Sequence, residues 1–264
     1  MTSSSPEDIE SRLLATRETR VGADNHRAYV GPPELYDLIG AAQFRLLTGL
    51  GLREDHRLLD FGCGSLRAGR LFIPYLLPGR YYGIDPNAWL IDEALRLEIG
   101  EDMLRLRAPR FDHNDQMRMD VFDTRFDMIL AQSVFSHTGA DLMLRGFQQA
   151  AQVLMPEGQF LFTVMPKGRP WTAPFPDGVT HDGWVYPGCT RFTDPEVADL
   201  AAQAGLRAEP LAWFHPTQRW FRAVLPGQPA LCAQEHDVLG SGRLLKVPRF
   251  PIGFSGGALG DDEK

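Results

Sequence analysis

Two carboxylates stand at the ends of short apolar runs in this 264-residue chain: Asp60 in RLLDFGCGSLRAGRL (Arg57 to Leu71) and Asp85 in RYYGID. Gly62-Cys63-Gly64 follows the first, and Arg67 and Arg70 come within the next turn. A strand that ends in a glycine loop lets a ligand lie flat against the backbone. Asp85 ends the next strand. In a parallel sheet it shares an edge with Asp60 and is placed to accept hydrogen bonds from the two hydroxyls of a ribose. Asp-Pro is also a helix-start signal, so the same carboxylate reads as a cap on the segment that follows. Arg67 falls in the first turn of the helix after the loop, where positive charge opposes the macrodipole. A nearby anion, such as a ligand carboxylate, makes it tolerable there; the other reading is a solvated arginine.

The loop is neither of the two common phosphate cradles. The dinucleotide fingerprint needs a third glycine at position 67, and no Gly-Lys-Ser/Thr follows for a phosphate loop. Among the seven histidines, His137 in SVFSHT follows a strand and reaches the same edge. It is the first candidate for a general base or a substrate contact, with a local hydrogen bond at the next helix as the other reading. A positioned base typically adds about 10²–10⁴-fold. His181, beside Asp182, is the second candidate, and His215, between the last two strand-like runs, is the third.

These residues need a scaffold of alternating strands and helices. The spacing predicts a helix over GPPELYDLIGAAQFRLLTGLGL with Leu35, Leu38, Ile39, Ala42, Leu46 and Leu47 on one stripe. It then predicts strand HRLLDF, helix Leu66–Leu77, strand RYYGID, helix Ala88–Ile99, a weaker strand at Arg110–His113, strand FDMILAQS, helix Gly139–Met155 and strand GQFLFTVM. Alternation of this kind builds a parallel sheet with helices on both faces. A long irregular segment, 166–190, breaks it with Trp171, Phe175, Trp184 and Tyr186. Such a segment is more often functional than filler, here as a roof over substrate, with a small satellite core as the rival view. A helix Asp194–Ala204 and two runs joined by a few residues, an antiparallel pair, complete the domain. The expected division is a lead-in 1–30, a domain 31–225 carrying the insertion, and a C-terminal extension 226–264.

Hydrophobic content is 44% and no run is long enough for a membrane span, so a globule with a real core is expected. The polar, acidic start MTSSSPEDIESRLL resembles neither a secretory signal nor a transit peptide, and the expected location is cytoplasmic. Three scattered cysteines fit neither a disulfide framework nor a zinc site, and no metal is expected. The net charge of −7 argues against a nucleic-acid partner.

LLDFGCGSLRAGR, YYGID, NDQM and RFDMILAQSVFSHT, in that order, followed by LAAQAGL and the closing strand pair, resemble class I S-adenosylmethionine-dependent methyltransferases over roughly residues 30–225. The lead-in also looks like that of bacterial members acting on small molecules. The resemblance implies an α/β, Rossmann-like fold: a seven-stranded, mostly parallel sheet, the last strand antiparallel, with helices on both faces. It implies S-adenosylmethionine as cofactor and S-adenosylhomocysteine as product. Asp60 would orient the loop and the methionine amino group; Gly62, Cys63 and Gly64 would pass close to the cofactor, and Asp85 would bind its ribose. Asp115, with Asn114 beside it, would contact adenine. Gln132 and Ser133 would face the methionine part or the substrate, and Tyr29 and Tyr36 would close over the cofactor. Leu66 departs from the family's usual third glycine, which implies a slightly tighter loop.

Some subclasses are disfavoured. Gln132-Ser133-Val134-Phe135 replaces the Asn-Pro-Pro-Tyr of DNA-base and glutamine amino methylation, and no Pro-Cys pair marks a cytosine-C5 enzyme. The expected reaction is methyl transfer to a small molecule, preferably at a hydroxyl oxygen, with nitrogen or carbon acceptors as alternatives. The rivals from other classes are an NAD(P)-dependent oxidoreductase and a non-catalytic cofactor-binding module.

Overall fold

β1 (Leu58–Phe61) is buried at every position, as a strand covered on both faces must be. In this computed structural model, which describes residues 24–168, 182–186 and 188–241, it lies at the centre of the sheet. It pairs in parallel with β2 (Tyr81–Ile84) on one side and with β4 (Phe126–Ala131) on the other. β3 (Arg110–Asp112) extends the first side and β5 (Leu154–Pro166) the second, both in parallel. β7 (Arg207–Leu211) and β8 (Arg219–Val224) form the closing pair, with β8 inserted antiparallel between β5 and β7. The order is β3-β2-β1-β4-β5-β8-β7, a mostly parallel sheet with its last strand antiparallel, as expected. A two-residue strand, β6 (Arg191–Phe192), adds to the end of β5 and was not expected from its sequence.

The strand order reverses between β1 and β4. In an open α/β sheet, the crevice outside the carboxyl ends at that point is where ligands bind. Two cores support it. One face carries Phe126, Phe135, Phe147, Phe160, Phe162 and Phe221, under α6 (Ala140–Val153) and α7 (Asp194–Gln203). The other is built on Leu46, Leu47, Leu58, Phe72, Tyr81 and Trp220. Each such side chain contributes about 1.5–3 kcal/mol on burial.

The helices differ from the sequence expectation where a backbone angle intervenes. α1 (His26–Tyr29) is one turn capped by Asn25. α2 (Tyr36–Gly49) starts after a 3-10 turn at Pro33–Leu35 and buries Tyr36, Ile39, Gly40, Gln43, Leu46 and Leu47. The apolar stripe is therefore rotated from the expected one, and Leu38 is left 51% exposed. α3 spans Gly69–Tyr75, not Leu66–Leu77, because Leu66 takes φ +57 and cannot belong to a right-handed turn. Arg67 accordingly lies before the helix, not in its first turn. α4 (Ala88–Ala94) continues as a π turn, Leu95–Ile99, to Gly100. α5 (Glu101–Arg107) was not anticipated, though its acidic first turn and basic last turn match the macrodipole. α8 (Ala233–Gly240) lies in the C-terminal extension and lays Leu239 against the second core. Among the described residues, no helix is long and apolar enough to cross a membrane.

Candidate active site

Asp60, Asp85 and Gln132 meet at the carboxyl edge because β1, β2 and β4 run parallel in register. Asp60 is buried and accepts a 2.8 Å hydrogen bond from the Tyr81 hydroxyl. Burial pushes its carboxyl up to about 7; the Tyr81 bond and the charge of Arg67 oppose the rise. Asp85 bonds both to the glycine loop and to the segment that opens the next helix. Its Oδ2 accepts from the Gly64 N–H at 2.9 Å, and its Oδ1 accepts from the Asn87 backbone N–H at 2.9 Å and side-chain amide at 3.1 Å. One carboxylate thus ties the glycine loop to the entry of α4. Burial raises its pKa, and these bonds hold it down.

The loop needs its glycines. Gly62 has φ +74, and a Cβ there would lie 2.3 Å from Cγ2 of Val134; Gly64 has φ +51, and a Cβ there would lie 2.9 Å from Cγ1 of Val30. Leu66 keeps a glycine-like left-handed angle despite its side chain, a conformation costing on the order of 1 kcal/mol. Cys63 is buried between the two glycines. The Tyr36 hydroxyl donates to the Ser65 carbonyl at 2.7 Å, so α2 clamps the loop from behind.

Arg67 is half-buried, with Nη1 donating to the Val30 carbonyl at 3.2 Å and a buried Nε lacking a partner among the described residues. No carboxylate among those residues is in ion-pair contact with it. Burial lowers its pKa to about 10. A guanidinium in this state is costly unless an anion arrives. The residues therefore fit a ligand with a carboxylate at one end and a ribose at the other.

The lead-in reaches over the same loop and is anchored by a residue that the sequence reading passed over. Glu98, in the π turn, accepts from His26 Nε2 at 2.7 Å and Arg27 Nε at 2.9 Å, and lies 3.6 Å from Arg70 Nε. Its side chain is 5% exposed, and although burial works the other way, its partners hold its pKa below the usual range. Arg27 and Arg70 flank the Tyr36 ring at 4.7 and 5.4 Å. The aromatic rings beyond follow in line: Trp89 to Tyr29 at 5.3 Å, Tyr29 to Tyr186 at 6.2 Å, and Tyr186 to His137 at 5.2 Å.

His137 Nδ1 lies 2.7 Å from the Gly188 carbonyl and 3.8 Å from Cys189 Sγ, and burial lowers its pKa. A carbonyl only accepts, so the proton is on Nδ1 and Nε2 keeps its lone pair. Asn114 organises its own loop by accepting from the Gln116 and Arg118 N–H groups, while Asp115 is exposed. Trp184 pairs in a β-bridge with Thr138, and its indole N–H donates to the Asp115 carbonyl at 3.0 Å. It therefore links the β4 and β3 tips. Trp171, Phe175 and His181 lie outside the described residues.

At the tip of β4, Ser133 has φ +62 and its N–H donates to Thr163 Oγ1 at 2.8 Å. Gln218 accepts from Thr163 at 2.5 Å and donates to Ser133 Oγ at 2.9 Å. His215 Nδ1 accepts the N–H groups of Thr217 and Gln218 at 3.2 and 2.9 Å, which leaves the ring proton on Nε2. The Gln132 amide lies 3.4 Å from that Nε2. Burial, with Arg67 adding to it, lowers the His215 pKa to about 3. Tyr81, Thr163, Gln218 and Glu98 were invisible to sequence reading, because each acts through a partner at least 21 residues away.

The family model described as a methyltransferase domain matches residues 31–211. Among solved structures, the chain is similar in fold to the CcbJ methyltransferase from Streptomyces caelestis, at 15% identity over 74% of this chain and 91% of that one, with a TM-score of 0.56. It is also similar to magnesium protoporphyrin IX methyltransferase from Synechocystis with SAH bound, at 15% identity over 84% and 95% of the two chains and a TM-score of 0.51. A third likeness is to the sugar N-methyltransferase KedS8 from a Streptoalloteichus species, at 18% identity over 72% and 88%, with a TM-score of 0.50.

Proposed function

The chain belongs to the methyltransferase-domain family, with S-adenosylmethionine as its cofactor, and from that premise we propose that it methylates a hydroxyl oxygen of a small molecule in the cytoplasm. Bound at the switch point, the cofactor supplies a methyl group on a sulfonium, already a good leaving group. Arg67 would hold its carboxylate, Asp85 its ribose hydroxyls, and the loop at Gly62 and Gly64 its body. Asp115 and Asn114 lie on the adenine side. Gln132 and Ser133 lie beside the methionine part.

The observation that carries oxygen as the acceptor is the bond from His137 to the Gly188 carbonyl. It fixes the tautomer with a free Nε2, and the lowered pKa keeps that nitrogen unprotonated at neutral pH. A hydroxyl must lose its proton as the new bond to carbon forms, and His137 is equipped to take it. Positioning and exclusion of water supply the rest of the barrier reduction. Tyr186 and Trp184, in the insertion within a 31–225 transferase domain, would wall the acceptor. Small-molecule acceptors agree with the names of the Synechocystis and Streptoalloteichus proteins.

The test is formation of S-adenosylhomocysteine by purified enzyme with matched hydroxyl and amine forms of each candidate acceptor. Turnover of hydroxyl compounds, lost in His137→Gln, is the expected result. Turnover confined to amines, or indifferent to His137→Gln, overturns oxygen as the acceptor.

A further inference from the structure

A cleft of about 400 Å³ opens between the β7–β8 hairpin and α8, lined by Leu211, Trp213, His215, Gln218, Arg219 and His236 among others. Leu211 ends β7 and Arg219 begins β8, and β7 runs parallel to β1, so the cleft lies on the same sheet edge as Asp60 and Asp85. His215 joins the two regions, lining the cleft while its Nε2 lies 3.4 Å from the Gln132 amide. Gln218, another wall residue, is bonded to Ser133 at the tip of β4.

The hydrogen-bond inventory at this joint is one-sided. The Gln132 Nε2 lies 3.4 Å from the His215 Nε2–H, donor facing donor, and the buried Oε1 of the same amide has no partner among the described residues. Turning the amide over puts its oxygen on the His215 N–H and its NH₂ in the unpartnered position. The wall adds Arg219 and His236, with no carboxylate among the lining residues. Arg219 is shared with Asp194 at 2.9 Å, in a half-exposed pair that leaves donors free. The rest of the wall is apolar: Trp213 spends its N–H on the Ala42 carbonyl and offers only ring surface, beside Leu211, Pro210 and Ala212.

We infer that this cleft seats the body of the methyl acceptor, and that the acceptor is a small planar anion, a ring carrying a carboxylate. The inference rests on the methyl-transfer reading. It places the acceptor's reactive atom at the tip of β4 and its acidic group toward Arg219 and His236. The Arg219 guanidinium, in a wall that holds no carboxylate, selects an anion, and an aromatic face beside aliphatic carbon selects a ring.

The full-length wild type and the Arg219→Gln/His236→Gln double variant are first titrated with S-adenosylhomocysteine by calorimetry. The loaded proteins are then titrated with 4-hydroxybenzoate by ligand-observed NMR, with 4-hydroxybenzyl alcohol as the neutral counterpart. The expected result is equal heat from S-adenosylhomocysteine in both proteins, and benzoate binding to the wild type that weakens about tenfold or more in the variant, the scale of a lost charge-assisted hydrogen bond. Benzoate that fails to bind, binds no better than the alcohol, or is indifferent to the variant, beside normal S-adenosylhomocysteine heat, overturns the cleft alone. Loss of that heat in the wild type overturns the cofactor site and the cleft with it.

Discussion

The Nδ1 of His137 lies 2.7 Å from the carbonyl oxygen of Gly188, and this bond decides which face of the imidazole is left for chemistry. A histidine held by a backbone carbonyl presents Nε2 as an acceptor. His215 is held the other way, by two N–H groups on Nδ1, and presents a donor. Two histidines at one sheet edge therefore differ in role through the backbone groups that meet them.

If His137 is the base, activity follows its deprotonated form. Its pKa is lowered by burial below the ordinary 6.5, so turnover holds at neutral pH and falls as pH drops below 6.5. Replacement by Gln should lower kcat about 10²–10⁴-fold and remove this acid limb, with the affinity for S-adenosylhomocysteine unchanged. A pH–rate profile of both proteins, with calorimetry alongside, checks it.

Asp60 should destabilise the cofactor-free protein as pH rises. Its folded pKa of about 7 exceeds the unfolded 3.8, so its stabilising contribution is present below 3.8 and is lost as pH rises through 7. Asp60→Asn keeps an acceptor for the Tyr81 hydroxyl. The variant should be more stable than the wild type at pH 8 by roughly 2–4 kcal/mol, with little difference at pH 4. Urea unfolding at the two pH values measures the difference.

Arg67 should behave in the opposite sense to most buried residues. Its Nε is unpartnered and no described carboxylate pairs with it, so Arg67→Met should leave the free protein as stable as before or more so. Affinity for S-adenosylmethionine should drop by about 30-fold or more, the loss of a desolvated charge pair. Thermal unfolding with and without ligand reads both quantities, and a variant that unfolds early yet binds normally would contradict the assignment.

Glu98 should matter for both folding and binding. Removing it takes away the buried carboxylate shared by His26, Arg27 and Arg70 and leaves them only the more exposed Glu93 and Asp37. Glu98→Ala should cost about 3 kcal/mol, and Val30 and Tyr29 should lose their place over the loop. KM for the cofactor should rise with kcat at saturation nearly intact. Steady-state kinetics over a wide cofactor range separates the two constants.

The order of strands and helices was legible because each element carries its own period: LLDF and YYGI are short, mostly apolar runs, and α6 and α7 repeat at helical spacing. The reversed closing strand followed from a connection too short for a crossover helix. What was misjudged was local and backbone-driven. The left-handed angle at Leu66 shortened α3 and removed Arg67 from it, and nothing in the residue type announces that angle.

The sequence by itself determined the sheet, the glycine loop and the two carboxylates at neighbouring strand ends, since these depend on hydrophobic period and on residues close along the chain. Tertiary structure alone decided the protonation of His137 and His215, the isolation of Arg67 and the grip of Glu98 on the lead-in. Each of these is set by a hydrogen-bond partner, or by the lack of one, brought from a distant segment, and burial in a low-dielectric interior gives such partners their energetic weight.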